Sequence, residues 1–87
     1  MNDTHDMNQL RRLILRACLQ EPIQLGDLLQ LPELKHADRP FIKRIVHACA
    51  VAGLLDTWGA TSGKYYQTSR AGWVMLTVLE SERRTKR

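Results

Sequence analysis

Apolar residues recur at steps of three and four along most of the chain, and this spacing predicts helices. The first such segment covers residues 7–20 and ends before Pro22. A short strand over residues 23–25 and a helix that begins at Gly26-Asp27 are expected next. Pro32 either ends this helix or begins another short one over PELKHA. The predicted core positions of the first helix are Met7, Leu10, Leu13, Ile14, Ala17 and Cys18.

A further helix is predicted over residues 39–52, within the stretch DRPFIKRIVHACAVAGLLD. Because proline favours an extended conformation in the residue before it, we expect Arg39 to cap this helix and Pro40 to be its first residue. Asp38 then lies close to the positive end of the helix dipole. Gly53 is expected to end the helix, since glycine tolerates the left-handed conformation found there.

A helical wheel divides this predicted helix into two sides. The expected core side holds Phe41, Ile42, Ile45, Ala48, Cys49 and Ala52. The outward side holds Arg39, Pro40, Lys43, Arg44, His47, Ala50 and Val51. The outward side therefore has three cations, one histidine and no acid. Two interpretations are open: an ordinary solvated surface, or a face that meets DNA, where Arg and Lys can reach guanine acceptors and phosphates.

The last third of the chain predicts a β-hairpin followed by a helix. Strands are expected over residues 54–58 and 64–68, joined by a loop of about five residues, GATSG. Ser69 is expected to cap the final helix, with Trp73, Leu76 and Leu79 on one face. Trp58 and Trp73 either pack together beside Tyr66, or Trp73 lies at a dimer interface. The predicted fold class is α+β and mostly helical.

The charge of the chain is concentrated at its end. Thirteen Lys and Arg stand against nine Asp and Glu in 87 residues, and four of the cations lie in the tail RRTKR. The rest is neutral on balance, so the position of the cations, and not the net charge, must indicate a partner. The tail is either a solvated terminus or an arm that binds phosphates non-specifically. The length predicts one domain. With no signal peptide and no apolar stretch that could span a bilayer, we expect a cytoplasmic protein and no membrane partner.

Catalytic and metal chemistry are not expected. Cys18 and Cys49 fall within apolar helical patterns and are interpreted as reduced core residues. No pair among these cysteines and His5, His36 and His47 has ligand spacing on a shared face, so no metal site is predicted. The acids are scattered at element ends, where capping explains them. We therefore expect no enzyme activity and no cofactor.

Three stretches together resemble the winged helix-turn-helix superfamily of small transcriptional regulators. They are RRLILRACLQ followed by IQLGDLL, then DRPFIKRIVHACAVAGLLD, then YYQTSRAGWVML. The resemblance implies a winged-helix domain over residues 8–82, ordered helix, short strand, helix, helix, hairpin wing, helix. It leaves a flexible N-terminus over residues 1–7 and the basic tail over residues 83–87. Such stand-alone modules are common in phages and plasmids.

The resemblance implies a sequence-specific regulator, a repressor or an activator, that binds double-stranded DNA. The helix over residues 39–52 would enter the major groove, and the wing over residues 59–64 would touch the backbone. The implied DNA contacts are Arg39, Lys43, Arg44 and His47 on the helix and Ser62, Gly63 and Lys64 on the wing. Arg70, at a predicted helix start, is a further phosphate contact. The implied homodimer interface is Trp73, Leu76 and Leu79.

An alternative function stays open on the same fold. The link LQLPELKHADRP is longer than the usual connection in the superfamily and contains two prolines. The basic side could then meet a protein, as an inhibitor or an assembly subunit does. A protein partner is therefore kept beside DNA.

Overall fold

The protein has an α+β fold, seen in a computed structural model that describes residues 7–60 and 63–85. Four helices and three strands lie within this part of the chain. In chain order they are α1 (Met7–Gln20), β1 (Ile23–Gln24), α2 (Leu25–Leu28), α3 (Arg39–Val51), β2 (Leu55–Ala60), β3 (Gly63–Thr68) and α4 (Arg70–Thr85). The predicted element order and the bounds of α1 are confirmed. Within the same residues, no helix is both long and apolar enough to cross a lipid bilayer.

The link between α2 and α3 has no helix that begins at Pro32, so of the two interpretations of this proline the short helix is wrong. α2 is a single turn of four residues, and residues 29–37 form successive turns instead of a helix over PELKHA. Leu34 is nevertheless buried, so the link contributes to the core. The backbone hydrogen bonds here are separate i to i−3 bonds, from Leu34 to Leu31 and from Ala37 to Leu34, and they do not follow one another as in a helix.

The three strands form one antiparallel sheet in the order β1-β3-β2. Ala60 pairs with Gly63, so two residues connect β2 to β3, and the predicted five-residue loop is wrong. The strands extend into the GATSG segment, where Gly59 pairs with Lys64 and Ala60 pairs with Gly63. Thr61 and Ser62, the connection itself, lie outside the described residues.

The strand register determines which aromatic residues meet. Trp58 lies opposite Tyr65, and their rings stack at a centroid distance of 6.3 Å on the outer face of the sheet. Tyr66 points the other way and packs against the core. The predicted packing of Trp58 and Trp73 beside Tyr66 is therefore wrong, because alternate residues of a strand face opposite sides.

The core lies between the inner face of the sheet and the helices. From α1 it takes the buried Leu10, Ile14, Leu15 and Cys18, while Met7, predicted to be a core residue, is exposed. The hydroxyl of Thr68 donates to the carbonyl oxygen of Leu15 at 2.6 Å, which joins β3 to α1. That bond satisfies a buried hydroxyl. Arg16 and Glu80 form an ion pair between α1 and α4.

A junction at Ser69 holds the end of α3, the hairpin and the start of α4 together. The Ser69 hydroxyl donates to the carbonyl oxygen of Gly53 at 2.6 Å. The backbone N–H of Ser69 donates to the carbonyl oxygen of Leu54 at 3.0 Å. The same hydroxyl accepts from the backbone N–H of Gly72 at 3.1 Å, which confirms the predicted cap. Gly72 is needed here because a Cβ would lie 2.7 Å from Cγ2 of Thr68, and closer still to the Leu54 carbonyl oxygen.

We predict that Gly72→Ala lowers the free energy of unfolding by about 3 kcal/mol, because the added methyl group collides with backbone that cannot move without breaking the junction. Gly26→Ala is the matched control, since a Cβ at Gly26 meets nothing within 4 Å. It should leave stability unchanged or raise it by up to about 1 kcal/mol. Urea denaturation followed by circular dichroism measures both. Equal stabilities for the two variants would contradict the packing described for α4.

Candidate nucleic-acid interface

The orientation of α3 is fixed by the side chains that it buries. Ile42, Ile45, Val46 and Cys49 are buried in the core, and Phe41 and Ala50 pack against it. The predicted core side is thus rotated: Val46 is buried, whereas Ala48 and Ala52 are exposed. The wheel could not place this boundary, because it depends on α1 and β2, the elements that pack against α3.

The N-terminus of α3 is capped by Asp38, and Arg39 is the first helical residue. The Asp38 carboxylate accepts a hydrogen bond from the backbone N–H of Phe41 at 3.2 Å. The prediction that Arg39 caps the helix is therefore wrong, since an aspartate oxygen can satisfy a free N–H and an arginine side chain cannot. Pro40 is tolerated in this first turn, as expected.

α3 ends at Val51 with Ala52 as its C-cap, and Gly53 follows as the predicted terminating glycine. Its φ of 82° is left-handed, a conformation that glycine adopts without steric cost. The backbone N–H of Leu54 donates to the carbonyl oxygen of Cys49 at 2.8 Å. The backbone N–H of Gly53 donates to the carbonyl oxygen of Ala50 at 3.1 Å. These two bonds form a Schellman motif, which turns the chain into β2.

The outward side of α3 carries what we call the basic face, made of Arg39, Lys43, Arg44 and His47. All four side chains are exposed. Among the described residues, an ion pair joins Arg16 to Glu80, and none involves the basic face. The guanidinium carbon of Arg44 lies 6.0 Å from the centre of the Phe41 ring, one turn earlier on the helix. The positive charge of this side is thus exposed and not neutralised within the described chain.

The remaining predicted contacts lie elsewhere. Gly63 and Lys64 begin β3 beside Gln24 and Gly26, around a shallow groove at the start of α2. A Cβ at Gly63 would lie 2.9 Å from the Gln24 side-chain nitrogen, so the two strands are close here. Ser62 falls outside the described residues.

Arg70 is not brought to the N-terminal end of the basic face. It opens α4 directly after Ser69, which is bonded to Gly53 and Leu54 beyond the end of α3. A helix of 13 residues is about 20 Å long, so Arg70 lies near the opposite end of α3 from Arg39.

The predicted dimer residues divide into two sets. Leu76 and Leu79 are buried in the protein's own core and are not available to a second copy. Trp73 is 53% exposed, and Val74 and Val78 beside it on α4 are exposed as well. The apolar surface of α4 is therefore formed by Trp73, Val74 and Val78, of which only Trp73 was predicted.

A second groove, which the sequence did not indicate, lies between α1 and α3. We call its apolar lining residues, Met7, Phe41, Ile45 and Ala48, the floor, and its basic lining residues, Arg11, Lys43, Arg44 and His47, the rim. Arg11 is held by its own helix, through bonds to Asn8 Oδ1 at 3.2 Å and Met7 Sδ at 3.4 Å. No sequence signal identifies the groove, because it exists only where two distant helices meet.

The cysteine side chains lie in the core and not on this surface. The described residues contain no group of three or more His, Cys, Asp or Glu that could hold a metal ion. Cys18 and Cys49 are free thiols in the core, as predicted. Burial, and secondarily the nearby Cys49, raises the pKa of Cys18 from 9.0 to about 11. Burial also raises the pKa of Cys49, and Arg11 opposes this effect.

Comparison with known proteins identifies a fold and no more. The crystal structure of smu.1704 from Streptococcus mutans UA159 is similar, with a TM-score of 0.80 over 94% of this chain and 82% of that one. The sequences are 22% identical, so the likeness concerns the fold alone. No family model and no curated protein matches the sequence.

We predict that both thiols resist Ellman's reagent at pH 8 in the native protein and react at once in urea. At the raised pKa, the Cys18 thiolate is about 100-fold scarcer than in an unfolded chain. The buried neutral thiol of Cys18 makes its full contribution to the free energy of unfolding below about pH 9. This contribution is lost as the pH rises through about 11, where the thiol of the folded protein ionises. Fast labelling of the native protein would contradict the buried placement. Cys18→Ala should flatten the loss of stability across this pH window.

Proposed function

We propose that the protein is a sequence-specific, DNA-binding transcriptional regulator of the winged-helix type. In this proposal α3 enters the major groove, and the turn between β2 and β3 lies on the DNA backbone. The observation that carries the proposal is the basic face: four exposed residues on one side of a well-capped helix, with no acid in the whole helix.

Charge supports DNA as the partner. A duplex presents a dense line of phosphates, and each cation that meets one releases a condensed counterion. Arg39, Lys43 and Arg44 are exposed and, within residues 7–60 and 63–85, have no carboxylate partner. Their charge is thus free to act on a polyanion, whereas Arg16 already pairs with Glu80.

Shape supports entry into the major groove. A helix with its side chains is about 10–12 Å across, and the major groove is about 12 Å wide. Ala48 and Val51 are small and exposed beside the cations, so the helix can approach closely. Both ends of α3 are capped, which holds the cations in one orientation. The order of elements and the antiparallel hairpin after α3 are compatible with a winged helix.

We further propose that the regulator is a homodimer that pairs through α4. Trp73, Val74 and Val78 give α4 an exposed apolar surface that water solvates poorly. A two-fold pair would present two basic faces to half-sites about one helical turn apart. Leu76 and Leu79 hold α4 on its own core in this arrangement.

The decisive experiment begins with selection of duplexes from a random library and continues with binding measured across a salt series. We expect Lys43→Ala to weaken binding about 5- to 100-fold and to lower the slope of log K against log salt by about one. Arg44→Ala should weaken binding similarly and relax sequence preference if Arg44 contacts a base. Sedimentation of the complex gives the number of chains on each duplex.

Arg16→Ala is the matched control, because it removes the same charge from a residue already paired with Glu80. It should change affinity by less than about threefold. No enrichment of any sequence, or equal losses for Lys43→Ala and Arg16→Ala, would contradict the proposal. Binding to a protein that survives high salt and is lost on Trp73→Ala would favour the protein-interaction module instead.

A further inference from the structure

We propose that the groove between α1 and α3 binds an acidic, amphipathic helix of a partner protein. The groove has an apolar floor of Met7, Phe41, Ile45 and Ala48. DNA does not require such a floor, since phosphates and base edges are met by polar and charged groups. The floor is therefore a feature that the proposed function leaves unexplained.

The shape of the groove favours a helix as its occupant. The lining positions on α3 are 41, 43, 44, 45, 47 and 48, so the groove follows this helix for about two turns. On α1 the lining residues Met7 and Arg11 are one turn apart. The groove is partly open to solvent. A helix can lay its apolar face into an open trough of this kind.

Charge complementarity favours an acidic helix. Arg11, Lys43, Arg44 and His47 form the rim, and among residues 7–60 and 63–85 no acid lines the groove. Arg11 and Arg44 lie on the two facing helices, so carboxylates on both flanks of an incoming helix would find cations. Met7, 48% exposed, offers an unbranched and adaptable side chain to the apolar face.

The position of the groove gives the partner a regulatory role, and this part rests on the proposed function. Lys43, Arg44 and His47 belong both to the rim and to the basic face. A helix seated in the groove would take the same cations that DNA uses. The acidic helix and DNA should therefore exclude one another, which would release the regulator from its site.

The test uses a labelled synthetic peptide of about 15 residues, with leucines at i, i+3, i+4 and i+7 and glutamates elsewhere. Fluorescence anisotropy with the full chain, in the absence of DNA, should show saturable binding. A peptide of the same composition in scrambled order should bind at least about tenfold more weakly. Unlabelled peptide should then displace a selected DNA duplex.

Met7→Glu is the informative variant, because it places a carboxylate on the floor of the groove without removing a cation of the basic face. It should weaken peptide binding at least about fivefold and weaken DNA binding by a smaller factor, since the new carboxylate also lies near cations that DNA would use. Gln9→Glu is the matched control: Gln9 is exposed on the same helix, does not line the groove, and gains the same charge. It should leave both affinities unchanged.

Equal binding of the ordered and scrambled peptides, or equal effects of Met7→Glu and Gln9→Glu, would overturn the proposal. Saturation by decanoate with no binding of the peptide would overturn it in favour of a small amphiphilic anion. Peptide binding is measured in the absence of DNA, so a failure of the peptide to bind contradicts the proposed use of the groove and does not bear on DNA binding. Absence of DNA binding counts against the proposed function and leaves the peptide result standing.

Discussion

Burial of one apolar stripe on α3 decides which side of that helix faces outward. Ile42, Ile45, Val46 and Cys49 are buried, and each of the three aliphatic side chains contributes about 1.5–3 kcal/mol when it leaves water. Turning the helix by half a turn would expose all four and bury Lys43 and Arg44 without partners, at a far greater cost. The basic face is therefore fixed by core packing.

Hydrogen bonds at both ends of α3 determine where the helix begins and ends. Asp38 satisfies the first turn, and Gly53 ends the helix and passes the chain into β2. The junction at Ser69 then attaches α4 to that same end. Hydrogen bonds therefore join the C-terminal end of α3 to the end of the hairpin and to the start of α4.

Much of this arrangement could be predicted from the sequence, because periodicity, Gly53 and the Ser69 cap act locally. The predictions failed where the answer depends on distant residues or on competing local signals. Asp38 and Arg39 both precede Pro40, and only hydrogen-bonding capacity distinguishes them as caps. The register that pairs Trp58 with Tyr65 follows from a two-residue connection that composition made look longer. The groove between α1 and α3 has no local signal at all.

The proposal that α3 meets DNA is tested most directly by titrating the ¹⁵N-labelled protein with a selected duplex and following the titration by NMR. We expect the largest amide shift changes at residues 39–51 and 63–64, with little change at residues 73–78. Changes confined to α4 or to the outer face of the sheet, or none at saturating duplex, would contradict the proposal.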